Sequence, residues 1–404
     1  MRTMVLVLPI VFLQSRHVHS MFIKSKPPDS ILAGVPQVRT VADAFNWFEY
    51  YVSVLGNPRD VAAGLAWKLS NIPCISTSFS GIGAPEIGLA MITSYVSKHT
   101  GMDTLRFRST AALDWNQHSR DELLHSNHPP EHLFQDQNEF INANLRKKIM
   151  ARFDASTILG TELWEALSVP GAIVDRAYCH VCNNWCAWPH ADDIHAAGSP
   201  CTDFSGMPGA KQGGTMGPSS LALMVWARMV LITSPSVVIH ENVPEFEESI
   251  LHWFFGDVFV ITTCILDLCL LAFPCRRRRR ISIMLRKSTI PLPSVSWSAS
   301  FVKRFYRDLV INFTQFLLAT AEEQQMLIDE AERTAQKRLG KEGSAILSRD
   351  SPDMRDDSDV NKSRFMQLLS VWQVGNVRRY RPSPLELLIR LGALFHFEAP
   401  IRNL

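Results

Sequence analysis

A chain of 404 residues with 46% hydrophobic and 20% charged residues has room for a sizeable core and a second, smaller domain, and it excludes a disordered or fibrous protein. The formal net charge of +2 is too small to make the whole surface a nucleic-acid binder, so any such contact must come from local clusters such as Arg276 to Arg280. Eight cysteines in so long a chain exclude a small disulfide scaffold and point to a reducing compartment.

At the N-terminus, Arg2 precedes the apolar run Met4 to Leu13, which has the shape of a signal-peptide core and is too short to span a bilayer. A targeting segment and a misassigned start, with Met21 as initiator, are both open readings. No other stretch is long and apolar enough for a membrane helix. Residues 1–69 form an N-terminal extension in which Val41 to Leu55 can supply a helix.

From Ile72 onward short apolar runs alternate with helical patterns, which predicts a doubly wound α/β sheet. Ile72 to Phe79 reads as a strand that runs into Ser80-Gly81-Ile82-Gly83, after which Leu89, Ile92 and Val96 recur at helical spacing. Glycines placed there let the backbone turn sharply and approach a ligand at a helix N-terminus. The strand Phe107 to Leu113 delivers Asp114-Trp115, an acid suited to ribose hydroxyls beside an aromatic ring that can stack. Asp136 ends a third strand, where it can accept from an adenine amino group; solvated turn acids are the plainer reading of either carboxylate alone.

Within the segment 138–192, Cys179, Cys182, Cys186 and His190 have a spacing compatible with Zn²⁺. The pattern lacks a clear second half and Trp185 and Trp188 point to packing, so no metal is assigned. The strand Ile194 to Ala197 then leads into Gly198-Ser-Pro200-Cys201-Thr-Asp-Phe-Ser205 and a glycine-rich stretch, which sets a thiol where open α/β sheets bind ligands. Val237 to His240 leads to Glu241-Asn242-Val243, a carboxyl at a neighbouring strand end; thiol and acid there make a nucleophile-plus-acid site. Phe259 to Leu266 is a further strand candidate. Phe273-Pro274-Cys275 opens Arg276 to Arg280 before the strand Ile281 to Leu285, and alternation turns Arg277 and Arg279 the same way. A basic surface run or nuclear-import patch is the alternative.

Beyond residue 286 the composition changes. Leu317, Ala321, Ile328, Ala331, Ala335 and Leu339 share one helical face, and Ser344 to Ser363 reads as an exposed loop.

In this order the Phe-x-Gly-x-Gly turn, the acid-Trp pair, the stretch from Asn127 to Asp136, Pro200-Cys201, Glu241-Asn242-Val243 and the Arg-x-Arg strand resemble the cytosine-C5 DNA methyltransferases. Arg381 to Gly392 resembles the family's helix after its target-recognition domain. The resemblance implies a Rossmann-like S-adenosylmethionine-dependent methyltransferase sheet with helices on both faces, plus a small inserted target-recognition domain. It divides the chain into the extension, a catalytic domain over 70–286 with an insertion at about 138–192, a recognition domain over 287–380, and a segment 381–404 returning to the catalytic domain.

It further implies methyl transfer to C5 of cytosine in double-stranded DNA through a cysteine adduct at C6, with the target base flipped out. Cys201 is the nucleophile, Glu241 the acid at the ring, and Arg277 and Arg279 its cationic support. Phe79, Gly81, Gly83, Asp114, Trp115, Asp136 and Pro200 line the donor site. Lys303, Arg304, Arg307, Arg378 and Arg379 are candidate phosphate contacts. The location implied is nuclear in a eukaryote and otherwise cytoplasmic, with no membrane partner.

The chain departs from the family pattern at Cys275, where the family has Gln, and at its last Gly-Asn motif, whose letters occur instead at Gln373 to Val377, before Arg381. A catalytically silent DNA-binding or donor-sensing homologue and a transfer-RNA cytosine-C5 methyltransferase are the alternative functions.

Overall fold

The structure is a computed structural model that describes residues 37–309 apart from 41–42, 44–45, 70, 103–105, 155–159, 191, 202–203, 205–218, 273–277 and 289–304. All described residues belong to one compact unit. Arg277, Cys275, Lys303, Arg304, the helical face Leu317 to Leu339, the loop Ser344 to Ser363, Arg378, Arg379 and the segment Arg381 to Gly392 lie outside them, as does nearly all of the expected recognition domain.

Among the described residues the expected alternation folds as a nine-stranded sheet in the order β6-β5-β4-β3-β2-β7-β8-β10-β9. Its members are β2 (Cys74–Ser78), β3 (Arg108–Leu113), β4 (His132–Phe134), β5 (Arg176–Cys179), β6 (Asn184–Ala187), β7 (Ile194–Ala197), β8 (Val237–Asn242), β9 (Phe259–Asp267) and β10 (Arg278–Arg286). The central run from β4 to β8 is parallel, and β5, β6 and β10 pair antiparallel. The chain winds outward from β2 through β3 to β4, returns to β7 beside β2, and winds outward again through β8. The order therefore reverses between β2 and β7, and such a reversal opens a crevice beyond the carboxyl ends of the two strands.

Strand composition explains why both faces are covered. In β3, Ala111 and Leu113 join a core with Phe134, Val238, Met284 and Trp226, whereas Ala112 turns the other way to Leu123 and Leu133. That is the two-residue period of a strand buried on both sides. On one side α1 (Trp47–Leu55), α2 (Pro58–Leu69) and α3 (Ala84–Thr100) pack together; on the other, α6 (Gly160–Ser168), α7 (Ser220–Thr233) and α8 (Glu248–Phe255) do so. Helix α7 reads SLALMVWARMVLIT and is apolar nearly all round, as a helix sunk into a core must be. Helix α4 (Gln117–Leu124) starts at Asn116, whose side chain caps the amides of His118 and Ser119. Helix α5 (Ala143–Asp154) lies in the segment read as an insertion, which also supplies α6, β5 and β6. The fold class expected from the sequence is the one observed; its inserted domain falls almost wholly outside the described residues.

The extension contributes α1 where a helix was expected. Its strand β1 (Gln37–Val38) pairs parallel with β11 (Asp308–Leu309), and Phe305 packs on Tyr51. No helix among the described residues is long and apolar enough to cross a membrane.

Two buried histidines cross-link the core. Trp226 donates to His195 Nε2 at 2.9 Å, which makes that nitrogen the acceptor and leaves the ring proton on Nδ1 for Ser76 Oγ at 2.9 Å. His240 also stacks on Trp226, at 5.1 Å between ring centroids. Burial holds both rings neutral, lowering His195 to about 3 and His240 to about 4. The unfolded chain takes up these protons near pH 6.5, so this stability is fully present above about pH 6.5 and lost as pH falls toward 4. Each ring contributes a slope of about 1.4 kcal/mol per pH unit in that window. Buried Glu86 and Asp192, whose carboxyls burial raises, act with the opposite sign at the lower end of it. In a proton NMR titration, neither His195 nor His240 should move between about pH 7.5 and 5; a midpoint near 6.5 for either would contradict the assignment.

Candidate active site

The glycine turn sits at the carboxyl end of β2. Phe79 takes φ 55° and Gly81 and Gly83 take φ 55° and 78°. The left-handed region costs a side chain on the order of 1 kcal/mol, so glycine is needed at the latter two, and Phe79 is held there by its surroundings. Ser80 is the holding group: its amide donates to Leu113 O at 2.9 Å and its Oγ accepts from Leu113 N at 3.0 Å. The turn is thereby bolted to β3. Asp114, next along β3, completes the bolt by accepting from Gly81 N at 2.6 Å and from Asn116 N at 2.9 Å. Its burial raises the carboxyl's pKa, and these two amides pull it back. Trp115 points outward and is 75% exposed beside it. Asp136 follows β4 and caps a short 3₁₀ turn, Gln137–Phe140, through a 2.9 Å bond from Asn138 N.

The loop after β7 carries the thiol. Gly198 N donates to Ser78 O at 3.3 Å, which continues the pairing of β7 with β2 into the crevice. An added Cβ at Gly198 would come 3.2 Å from Glu241 Oε2 and 3.9 Å from Phe79 O, so this residue fills the gap between the glycine turn and the acid. Pro200 and Cys201 follow, both partly buried, with Cys201 against the core that contains Phe204 and Phe246.

Glu241 is the penultimate residue of β8 and meets Arg279 Nε at 2.6 Å, with side-chain exposures of 9% and 18%. The register explains the meeting. Glu241 stands opposite Ile281, so Arg279, two residues away on β10, lies on the same face and reaches it diagonally. Arg280 faces the other way and donates to Pro244 O at 2.8 and 3.2 Å, holding the turn that follows β8.

Sequence reasoning missed the network beneath the thiol. Asn242 Nδ2 donates to Ser199 Oγ at 2.9 Å and to Ser199 O at 3.4 Å, and Asn242 Oδ1 accepts from Val243 N at 2.8 Å. The Ser199 hydroxyl is left to donate to His240 Nε2 at 2.8 Å. Asn242 thus ties the β7 loop to the end of β8. Its truncation to alanine strands several buried polar groups, and about 2–3 kcal/mol of stability should be lost in urea denaturation. A change below about 0.5 kcal/mol would show that the loop is held otherwise.

The structure thus gathers Phe79, Gly81, Gly83, Asp114 and Trp115 at the turn, and Pro200, Cys201, Glu241 and Arg279 beside it, at the ends of adjacent strands. One expectation is corrected. Arg307 is buried, donating to Asp43 O at 2.8 Å with its guanidinium 5.2 Å from the Tyr50 ring, so it cannot serve as a surface phosphate contact. Cys179, Cys182 and Cys186 do converge, at the β6 edge of the sheet, but the histidine beside them is His132; His190 is exposed.

No protein-family model and no curated protein matches the chain. Among solved structures it is similar in part to a DNA modification methyltransferase encoded within an E. coli prophage, at 16% identity and TM-score 0.31 over 54% of this chain and 47% of that one. It is similar to the Dnmt2 methyltransferase of S. pombe at 14% identity and TM-score 0.32, covering 58% and 54%. The Entamoeba histolytica methyltransferase EhMeth aligns at 14% identity and TM-score 0.32, covering 64% and 66%. The chain spans about half the length of the first two.

Proposed function

We propose that the chain is a DNA cytosine-C5 methyltransferase with Cys201 as nucleophile. The observation that carries this reading is the 2.6 Å Glu241–Arg279 pair at the end of β8, beside the β7 loop that bears Cys201 and across from the glycine turn. A thiol outside any disulfide, a shielded ion pair and a strained glycine turn at a topological switch point are parts that suit covalent catalysis on a flat heterocycle.

Cytosine C5 is a poor nucleophile. Addition of the Cys201 thiolate to C6 forms a carbon–sulfur bond and pushes electron density to C5, which then takes up the methyl group. Loss of the C5 proton to a base and expulsion of the thiolate restore the aromatic ring. Glu241 acts at N3, where a hydrogen bond stabilises charge that develops on addition. Arg279 fixes the carboxyl of Glu241 and lends a positive field that favours the thiolate. Because C6 is inaccessible in a duplex, the base must leave the stack.

S-adenosylmethionine, when bound, supplies an electrophilic methyl group. The residues fit it: Trp115 offers an exposed ring face for adenine stacking and Asp136 an acceptor for the adenine amine, while Asp114, buried with both oxygens on the amides of Gly81 and Asn116, shapes the turn between them. Arg277 is assigned to the site on the sequence pattern alone.

The test is transfer of labelled methyl from S-adenosylmethionine to duplex DNA, with transfer RNA as a second acceptor. Label in DNA cytosine at C5 supports the reading. Label only in RNA would move the substrate, and none from folded protein that binds the donor would make the chain a silent homologue.

A further inference from the structure

We propose that His132, Cys179, Cys182 and Cys186 form a structural zinc site that fastens strands β4, β5 and β6 together. One ligand atom from each residue lies within 4.8 Å of all the others. His132 Nδ1 stands 3.5 Å from Cys182 Sγ and 3.7 Å from Cys179 Sγ. A tetrahedral Zn²⁺, with Zn–S about 2.3 Å and Zn–N about 2.0 Å, separates its sulfur and nitrogen ligands by about 3.5 Å and its sulfurs by about 3.8 Å. The side chains already stand at nearly the required spacing, and all three cysteines are free of disulfides.

The register brings them together. Cys179 pairs with Phe134 on β4, and His132, two residues before Phe134, shares its face. Cys186 pairs with Ala177, two residues before Cys179, and shares that same face. Cys182 comes from the hairpin turn, which folds back because Asn183 takes φ 51°. Backbone amides of Leu133 and Cys182 point at Cys179 Sγ at 3.4 and 3.5 Å, donors that stabilise a thiolate.

Packing accounts for Cys179, buried in the core, and for Cys186 against it, but not for Cys182 and His132 beside them. Trp188 fills the core at 3% exposure, but Trp185 is 59% exposed and Cys182 is open to solvent. Strand β6 buries almost nothing, with three of its four residues exposed and the fourth half-buried. An edge strand this exposed needs another source of stability, and a metal that joins it to β4 and β5 provides one. On binding, three thiols give up their protons to solvent, so the site carries a net charge of −1 with Zn²⁺ and a neutral imidazole. Four protein ligands close the coordination sphere, which marks a structural rather than catalytic ion. Strand β4 leads to Asp136, so the metal steadies one wall of the crevice.

The experiment is metal analysis of the full chain purified under reducing conditions without chelator, followed by exchange with Co²⁺. The expected result is about one zinc per chain and, after exchange, the visible bands of tetrahedral cobalt thiolate. Cys182→Ser and His132→Ala should each lower bound metal at least about fivefold, whereas His190→Ala should keep it. Wild-type protein that holds no zinc and takes up no cobalt would overturn the site, whatever the variants do. So would a Cys182–Cys186 disulfide in the folded protein, or loss of metal in His190→Ala equal to that in His132→Ala.

Discussion

Cys201→Ser is expected to lower methyl transfer to duplex DNA by about 10⁴-fold or more, with donor binding and melting temperature close to wild type. Serine keeps the shape, and Cys201 is only partly buried at the edge of the core, so the fold loses little. The chemistry loses its nucleophile. A hydroxyl ionises far less readily than a thiol, and the Arg279 field that favours a thiolate cannot make up the difference. Single-turnover transfer with labelled donor reads the effect. A rate within tenfold of wild type would place the nucleophile elsewhere.

Glu241→Gln should reduce transfer by about 10²–10⁴-fold, the range for losing an acid–base group, because an amide of the same shape carries neither the proton nor the charge needed at the ring. Glu241→Ala adds a cost to folding. It leaves Arg279, itself partly buried, without the carboxylate 2.6 Å away, and breaking such a pair from one side costs up to about 3 kcal/mol, the lower end of the range for fully buried pairs. The double variant Glu241→Ala, Arg279→Met should recover much of that stability while staying inactive. Recovery of activity along with stability would reduce the pair to a structural role.

How far the sequence discloses this arrangement depends on whether the signal is local. Strand β7 is read at its observed bounds because Ile194 to Ala197 is a short apolar run ended by Gly198. Strand β10 begins at Arg278, three residues before its first apolar residue, because arginines that satisfy the ladder to β9 look like a surface run in sequence. The segment that holds β5 and β6 reads as an insertion because the stretch between Asp136 and Pro200 is longer than the family pattern, although it extends the same sheet. Arg307 is read as a surface charge, but its carbonyl and aromatic partners come from the distant extension.

The site follows the same rule. Gly81, Asp114, Cys201 and Glu241 are each legible as the residue at a strand's carboxyl end. What joins them is not: Ser199 meets His240 and Asn242 across more than forty residues, and His132 meets Cys179 across 47. Such pairs are set by sheet register, which one-dimensional spacing does not carry. Arg279 lies between the two cases. Its orientation follows from strand alternation, but its partner becomes visible only when β10 is seen to insert between β8 and β9.

The most direct test of the central claim is trapping of the covalent adduct. Duplex DNA bearing 5-fluorocytosine should, with S-adenosylmethionine present, form a complex that survives denaturation, because fluorine at C5 cannot leave as a proton. Peptide mapping should place the base on Cys201. Absence of adduct from folded, donor-binding protein, or an adduct on another residue, would contradict the assignment.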